Sequence, residues 1–110
     1  MGRERRKPSY PLAVAKRLAA NGEFSMSGRA RRFVANRTDW ADASAFIREL
    51  FKAATETHFS KSIDLDTLPG TWADVYLVPF DDETWYVKFF VDGGTVRLHV
   101  LSANWDGYIH

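Results

Sequence analysis

Tyr86, Lys88, Arg97 and His99 lie within one stretch, WYVKFFVDGGTVRLHV (residues 85–100). A phenol, an imidazole and two cations within reach of one bound group can cleave an RNA phosphodiester without a metal. Such cleavage needs a base to take the 2′-hydroxyl proton, cations to stabilise charge on the phosphoryl oxygens, and an acid to protonate the departing 5′ oxygen. Histidine serves as base or acid near neutral pH, whereas lysine and arginine suit the charge-stabilising role.

Whether these groups converge depends on how the stretch folds. Apolar residues alternate on both sides of Asp92-Gly93-Gly94, the pattern of two strands joined by a glycine turn. Val87, Phe89 and Val91 then share a core face with Val96, Leu98 and Val100, and the opposite face carries Tyr86, Lys88, Phe90, Arg97, His99 and Leu101. Two registers keep these faces aligned. A Gly93-Gly94 loop sets Lys88 opposite His99 and Phe90 opposite Arg97, so that a cation lies on a ring. An Asp92-Gly93 loop sets Lys88 against Arg97, which like charges disfavour. The first is the expected register. The plain alternative to a catalytic surface is a hydrophilic outer face with one cross-strand cation and aromatic pair.

The elements that must hold this hairpin are legible upstream. At 110 residues with 45% hydrophobic content the chain suffices for one domain and is too short for two. Residues 1–9 (MGRERRKPS) read as a basic flexible arm, and residues 10–110 as a single domain. Ser9 can cap a helix with Pro11 in its first turn, in which Leu12, Ala15, Leu18 and Ala19 form one stripe before Asn21-Gly22. After an extended piece at residues 23–25, SGRARRFVANR forms a second, strongly basic helix. Thr38 or Asp39 can cap a third over residues 41–53, where Phe46, Ile47, Leu50 and Phe51 recur at helical spacing. TETHFSKSIDLDTLPG (residues 55–70) is loop-like with room for one helical turn. Residues 72–79, 84–91 and 95–102 are strands, with DDE and DGG as turns. The order predicts an α+β domain, its N-terminal helices packed on one face of a C-terminal antiparallel sheet of three strands or slightly more.

Formal net charge is +1, but residues 1–61 carry 13 Lys and Arg against 6 Asp and Glu, and residues 62–110 carry 2 against 8. A basic half bearing Arg29, Arg31 and Arg32 attracts phosphate, because each neutralised phosphate releases counterions; the plain alternative is solubility. The absence of cysteine excludes disulfides and thiolate chemistry and fits a reducing compartment. No apolar run approaches the roughly 20 residues of a membrane span, and the Arg-rich start lacks the apolar segment of a secretory signal. A cytoplasmic protein without a membrane partner is expected. His58, His99 and His110 are the only histidines and none has metal-ligand spacing, so neither a metal nor another cofactor is expected. Asp64, Asp66, Asp81, Asp82 and Glu83 read as solvated turns, and Trp72, Tyr76, Trp85 and Trp105 as core rings rather than platforms for bases.

HFSKSI, TWADVY and WYVKFFVDG (residues 58–63, 71–76 and 85–93) resemble, in order and spacing, the MqsR-type toxins of bacterial toxin-antitoxin systems. More loosely, KPSYPLAVAKRLAANG (residues 7–22) resembles the opening helix of that family. The resemblance implies a RelE-like RNase fold and a metal-independent endoribonuclease. Such an enzyme cuts messenger RNA without needing the ribosome and is held inactive by a cognate antitoxin. It also implies that Lys61, of the Phe-x-Lys-Ser motif, and Tyr86, of Tyr-x-Lys, are catalytic. Two family positions differ. Ala73 stands where the family has glutamine, and the family's C-terminal Ser-Phe-Lys is LSANWDGYIH here, with no lysine after Lys88. His99 or Arg97 is expected to replace that lysine. Catalysis is thus assigned to Lys61, Tyr86, His99 and Arg97, and RNA binding to Lys88, Arg29, Arg31 and Arg32. Asp74, also in the motif, is expected to orient a neighbour or cap its strand. The alternative for Lys61 is a structural lysine whose stem packs on Phe59. The alternatives for the whole chain are a catalytically impaired RNA- or protein-binding module, or a meander whose exposed edge receives a partner's strand.

Overall fold

The computed structural model describes residues 3–37 and 42–105. Three apolar helical stripes dictate its layering. Leu12, Ala15, Leu18 and Ala19 are buried on α1 (Leu12–Ala20), Ala30 and Val34 on α2 (Gly28–Arg37), and Phe46, Ile47, Leu50 and Phe51 on α3 (Ala43–Ala53). These stripes cover one face of a sheet whose long strands are β4 (Trp72–Phe80), β5 (Glu83–Asp92) and β6 (Arg97–Trp105). The rings of the two layers meet edge-on, Phe46 against Trp85 at 4.7 Å and Phe51 against Phe89 at 5.3 Å, while Tyr76 stacks on Phe89 at 5.8 Å. Tyr76 and Trp85 are therefore core, as their size in a small domain suggested.

Three short strands extend the expected meander: β1 (Glu4–Arg5), β2 (Phe24–Met26) and β3 (Phe59–Asp64). The order is β1-β3-β4-β5-β6-β2, antiparallel throughout except for β2, which runs parallel to β6. The α+β class with helices on one sheet face stands; the sheet has six strands. β3 lies along β4, and β2 along β6 at residues 98–100, so the edges expected to be exposed are covered by this chain at those residues. No helix among the described residues is long and apolar enough to cross a membrane.

Two segments read from sequence as irregular are strands. FSKSID alternates weakly because Ser62 and Asp64 serve polar contacts made across the chain, and no local pattern reports those. Residues 4–5 of the expected free arm pair with Ile63 and Ser62. Among the helix caps, Pro11 rather than Ser9 starts α1, since Ser9 is engaged elsewhere, and Asp42 caps α3 by accepting from Ser44 N at 2.9 Å. Thr38 and Asp39 lie outside the described residues.

The two hairpins differ in how they turn. Between β4 and β5, Asp81 and Asp82 form a two-residue loop with φ of 54° and 64°. Left-handed conformation at both central positions is the type I′ pattern, in which glycine is favoured at the second. Asp82→Gly should therefore stabilise the fold by about 0.5–1 kcal/mol, read as a Tm rise of roughly 2–4 °C in thermal unfolding. Between β5 and β6 the loop is four residues, 93–96, and overturns both expected registers. Asp92 is the reason. Its Oδ1 accepts from Gly94 N at 2.9 Å and Thr95 N at 3.4 Å, a side-chain turn that replaces a glycine hairpin and holds the Asp92 carboxyl below its ordinary range. Phe90 now faces His99 and Asp92 faces Arg97. A slip of two residues preserves the faces, so Leu98 and Val100 stay in the core; Val96 leaves it, exposed at φ 50°.

Candidate functional site

The sheet face turned away from the helices carries the candidate chemistry, and two β-bulges decide which side chains reach it. Phe59 packs toward the core, so simple alternation would send Lys61 the same way. The register shifts between them: Phe59 pairs with Tyr76 but Lys61 with Val75, so the extra residue inverts the alternation and Lys61 emerges on the open face. This removes the expected packing of the Lys61 stem on Phe59, whose ring meets Tyr76 at 5.5 Å on the other side. On β6 the shift falls at Leu101. Phe89 pairs with Val100, yet Lys88 pairs with Ser102 and Tyr86 with Asn104, which places a hydroxyl and an amide beside the two candidate residues where alternation expected Leu101. Ser102 and Asn104 were not singled out in the sequence, because only the bulge turns them to this side.

One row across four strands therefore reads Lys61, Val75, Lys88, Ser102, and the next row contains Leu77, Tyr86 and Asn104. Lys61 and Lys88 are two strands apart, about 10 Å at the backbone, with Tyr86 about 7 Å along β5 from Lys88. Fully buried Val75 floors the row between the lysines. Lys88 is half-buried, and its ammonium is pushed below the ordinary lysine range by desolvation, then by Arg29 and Lys61. Burial, then the Glu4 carboxylate, pushes the Tyr86 phenol up, so Tyr86 keeps its proton at neutral pH and acts as a donor. Arg29, in the first turn of α2, is close enough to act electrostatically on Lys88; Arg31 and Arg32 are exposed on the same helix.

His99 and Arg97 do not join it as expected. His99 stacks on Phe90 at 4.7 Å and 12°, so the place on the ring anticipated for Arg97 is taken by the imidazole. Four residues of strand separate the Phe90–His99 pair from Tyr86, about 13 Å, too far for one group to share a proton with the other. Arg97 turns to the sheet edge, where its guanidinium donates to Ser25 Oγ and Phe24 O, each at 2.9 Å, and ties β2 to β6. It is a structural arginine here. Glu4 is the carboxylate that sequence reading missed: β1 brings its Oε2 to 3.3 Å from Lys61 Nζ. No local signal could find it, since a two-residue strand has no periodicity.

The remaining motif residues build a clasp on the helix side of the sheet. Asp74, fully buried, accepts from Ser9 N at 2.9 and 3.0 Å and from Tyr10 N at 3.0 Å. Ser9 Oγ meets Ser62 Oγ at 2.6 Å, Arg5 donates to Ser9 Oγ at 2.7 Å, and the Arg5 guanidinium lies over the Trp72 ring at 4.0 Å. Arg3 pairs with Asp64 at 3.2 Å, and Tyr10 Oη donates to Trp72 O at 2.6 Å. Asp74 thus orients residues 9–10 and through them the whole arm. The described arm, residues 3–9, is therefore bound to the domain, because buried acceptors on β3 and β4 need donors that the sheet itself does not supply.

Tyr76, buried beside this clasp, has its phenol pushed up to about 12 by desolvation, then by Asp74 and Glu56. Because the folded state holds the neutral form more tightly than the unfolded chain, the contribution is full below pH 10. It is lost as pH rises toward about 12. Denaturation midpoints of the wild type should fall more steeply over that interval than those of Tyr76→Phe; parallel curves would contradict the assignment. Among the described residues no group of three or more histidines and carboxylates is arranged to hold a metal ion. Compared with known proteins, the chain matches no family model and no curated protein.

Proposed function

We propose that the open sheet face binds the RNA backbone and cleaves it without a metal. The observation that carries this reading is the convergence of Lys61, Lys88 and Tyr86 in adjacent rows of one face, with Arg29 at its margin. Lys61, Lys88 and Arg29 stabilise the charge that grows on the phosphoryl oxygens, and the 2′-hydroxyl proton leaves to solvent water. The 2′ oxygen bonds to phosphorus as the bond to the 5′ oxygen breaks, and Tyr86 gives its proton to that leaving oxygen. The products are a 2′,3′-cyclic phosphate and a 5′-hydroxyl. The resemblance to MqsR-type toxins supports the same reading. It extends the proposal to a RelE-like fold, to messenger RNA as substrate, to a cognate antitoxin that restrains the enzyme, and to the cytoplasm where that RNA is met.

The test is incubation of the folded protein with a long single-stranded RNA in EDTA. Discrete fragments bearing cyclic phosphate ends are expected. RNA left intact, with EDTA or with magnesium, would overturn cleavage. A second reading, RNA binding without cutting, is favoured by one observation: Arg97 is committed to β2 and His99 to Phe90, so neither replaces the family lysine beside Tyr86. Salt-dependent binding without fragments would establish it.

A further inference from the structure

We propose that Glu4 is an intramolecular stand-in for phosphate: its carboxylate occupies Lys61 from strand β1 at the sheet edge, and must be displaced before RNA takes Lys61. The inference rests on the reading of this face as an RNA-binding surface and adds its regulation. The carboxylate lies 3.3 Å from Lys61 Nζ, where the side chains of Glu4 and Lys61 are 53% and 32% exposed, and the pair rims a hollow of about 430 Å³ that continues past Ile63 to Leu65 and Asp66. An ionised carboxylate and a phosphoryl oxygen make the same demand on an ammonium, one charge-assisted hydrogen bond, so they compete for it.

Strand β1 is held so that it can be both retained and displaced. Only Glu4 and Arg5 pair with β3, a ladder far shorter than the strands it edges. Outside that ladder it is held by one backbone bond, Asp64 N to Arg3 O at 2.8 Å, and by exposed side-chain contacts, Arg3 on Asp64 and Arg5 on Trp72 and Ser9 Oγ, of which the ion pair is weak. Five residues further along, the Asp74 clasp on Ser9 and Tyr10 is buried and strong. Residues 3–5 can therefore lift while residues 9–10 stay anchored, and the displaced strand remains tethered close enough to return. The cluster of Lys61, Lys88 and Arg29 otherwise holds three like charges together, and Glu4 offsets one of them until an anion of the substrate takes over.

The test measures binding of a 2′-O-methyl single-stranded oligoribonucleotide, which cannot be cleaved, by fluorescence anisotropy across a salt series. The proteins are wild type, Glu4→Gln, Lys61→Ala and the double variant. Glu4→Gln should bind about five-fold tighter, the upper range for an exposed ion pair. Its plot of log affinity against log salt should steepen by about 0.7, because one more lysine is free to neutralise a phosphate. Both gains should vanish in the Lys61→Ala background. Equal binding by wild type and Glu4→Gln overturns the inference and leaves the proposed function standing. A gain that persists without Lys61 also overturns it, since that is a general charge effect. Wild-type affinity in Glu4→Gln together with lost cleavage of unmodified RNA overturns it too, making Glu4 a proton acceptor. Binding by none of the four overturns the inference and the proposed function together.

Discussion

Asp74→Ala is expected to destabilise the protein by about 3 kcal/mol, read as a Tm drop of roughly 13 °C for a chain of this length. The carboxylate is fully buried and holds the Ser9 and Tyr10 amides, and hydrogen bonds to a charged acceptor contribute more than neutral ones. Removing it leaves two amides without an acceptor and a cavity beside Ser62 that alanine does not fill. Loss of the clasp should be visible locally as well. Arg3, Arg5, Arg6 and Lys7 should become sensitive to trypsin under native conditions, and the amide protons of Ser9 and Tyr10 should exchange faster. Asp74→Asn keeps one acceptor oxygen and should show an intermediate loss. Stability within 1 kcal/mol of wild type for Asp74→Ala, with the arm still protected, would show that the arm is held by something else. The experiment also separates two meanings of a motif residue: a catalytic role for Asp74 predicts loss of activity at unchanged Tm, and the clasp predicts the reverse order of effects.

Lys61→Ala is the opposite case. Lys61 lies on the open face, and its ion pair with Glu4 is largely solvated, so stability should stay within about 0.5 kcal/mol of wild type. Under the proposed function, cleavage of single-stranded RNA should nevertheless fall by roughly 10²–10³, the usual cost of removing one preorganised charge from a developing oxyanion. Tyr86→Phe should cost about 10² through loss of the acid, with little change in affinity for the uncleavable oligonucleotide. Single-turnover rates beside anisotropy measurements separate the two contributions. If affinity and rate fall together in Lys61→Ala, the lysine binds substrate and transition state alike and only holds the RNA. If neither variant alters the rate while fragments persist, the catalytic face lies elsewhere on the molecule.

Local pattern alone was sufficient for most of the framework. The stripes of α1 and α3, the strands at residues 72–79 and 84–91 and the core role of Phe46 and Phe89 follow from periodicities of 3.6 and 2, and that of Tyr76 and Trp85 from ring size in a small domain. Tyr86 and Lys88 were placed on one face by that same alternation, which runs unbroken along β5 from Trp85 to Phe89. The tertiary structure decided everything that depends on a break in alternation or on a partner distant in the chain. Lys61 reaches the open face only through a bulge. Ser102 and Asn104 replace Leu101 there only through a second one. Asp92 builds its own turn, which slips the β5–β6 register by two residues and moves His99 away from Tyr86, while Leu98 and Val100 keep their core places and Val96 loses its own. The arm becomes a strand because Asp74 and Ser62 present buried acceptors 65 and 53 residues from Ser9 in sequence. The sequence by itself determined which side chains are apolar and at what period, hence the layers and the faces, since burial of apolar stripes is decided within a few residues. Register, bulge position and the pairing of Glu4 with Lys61 were decided only in three dimensions, because they depend on hydrogen-bond partners that local pattern does not encode.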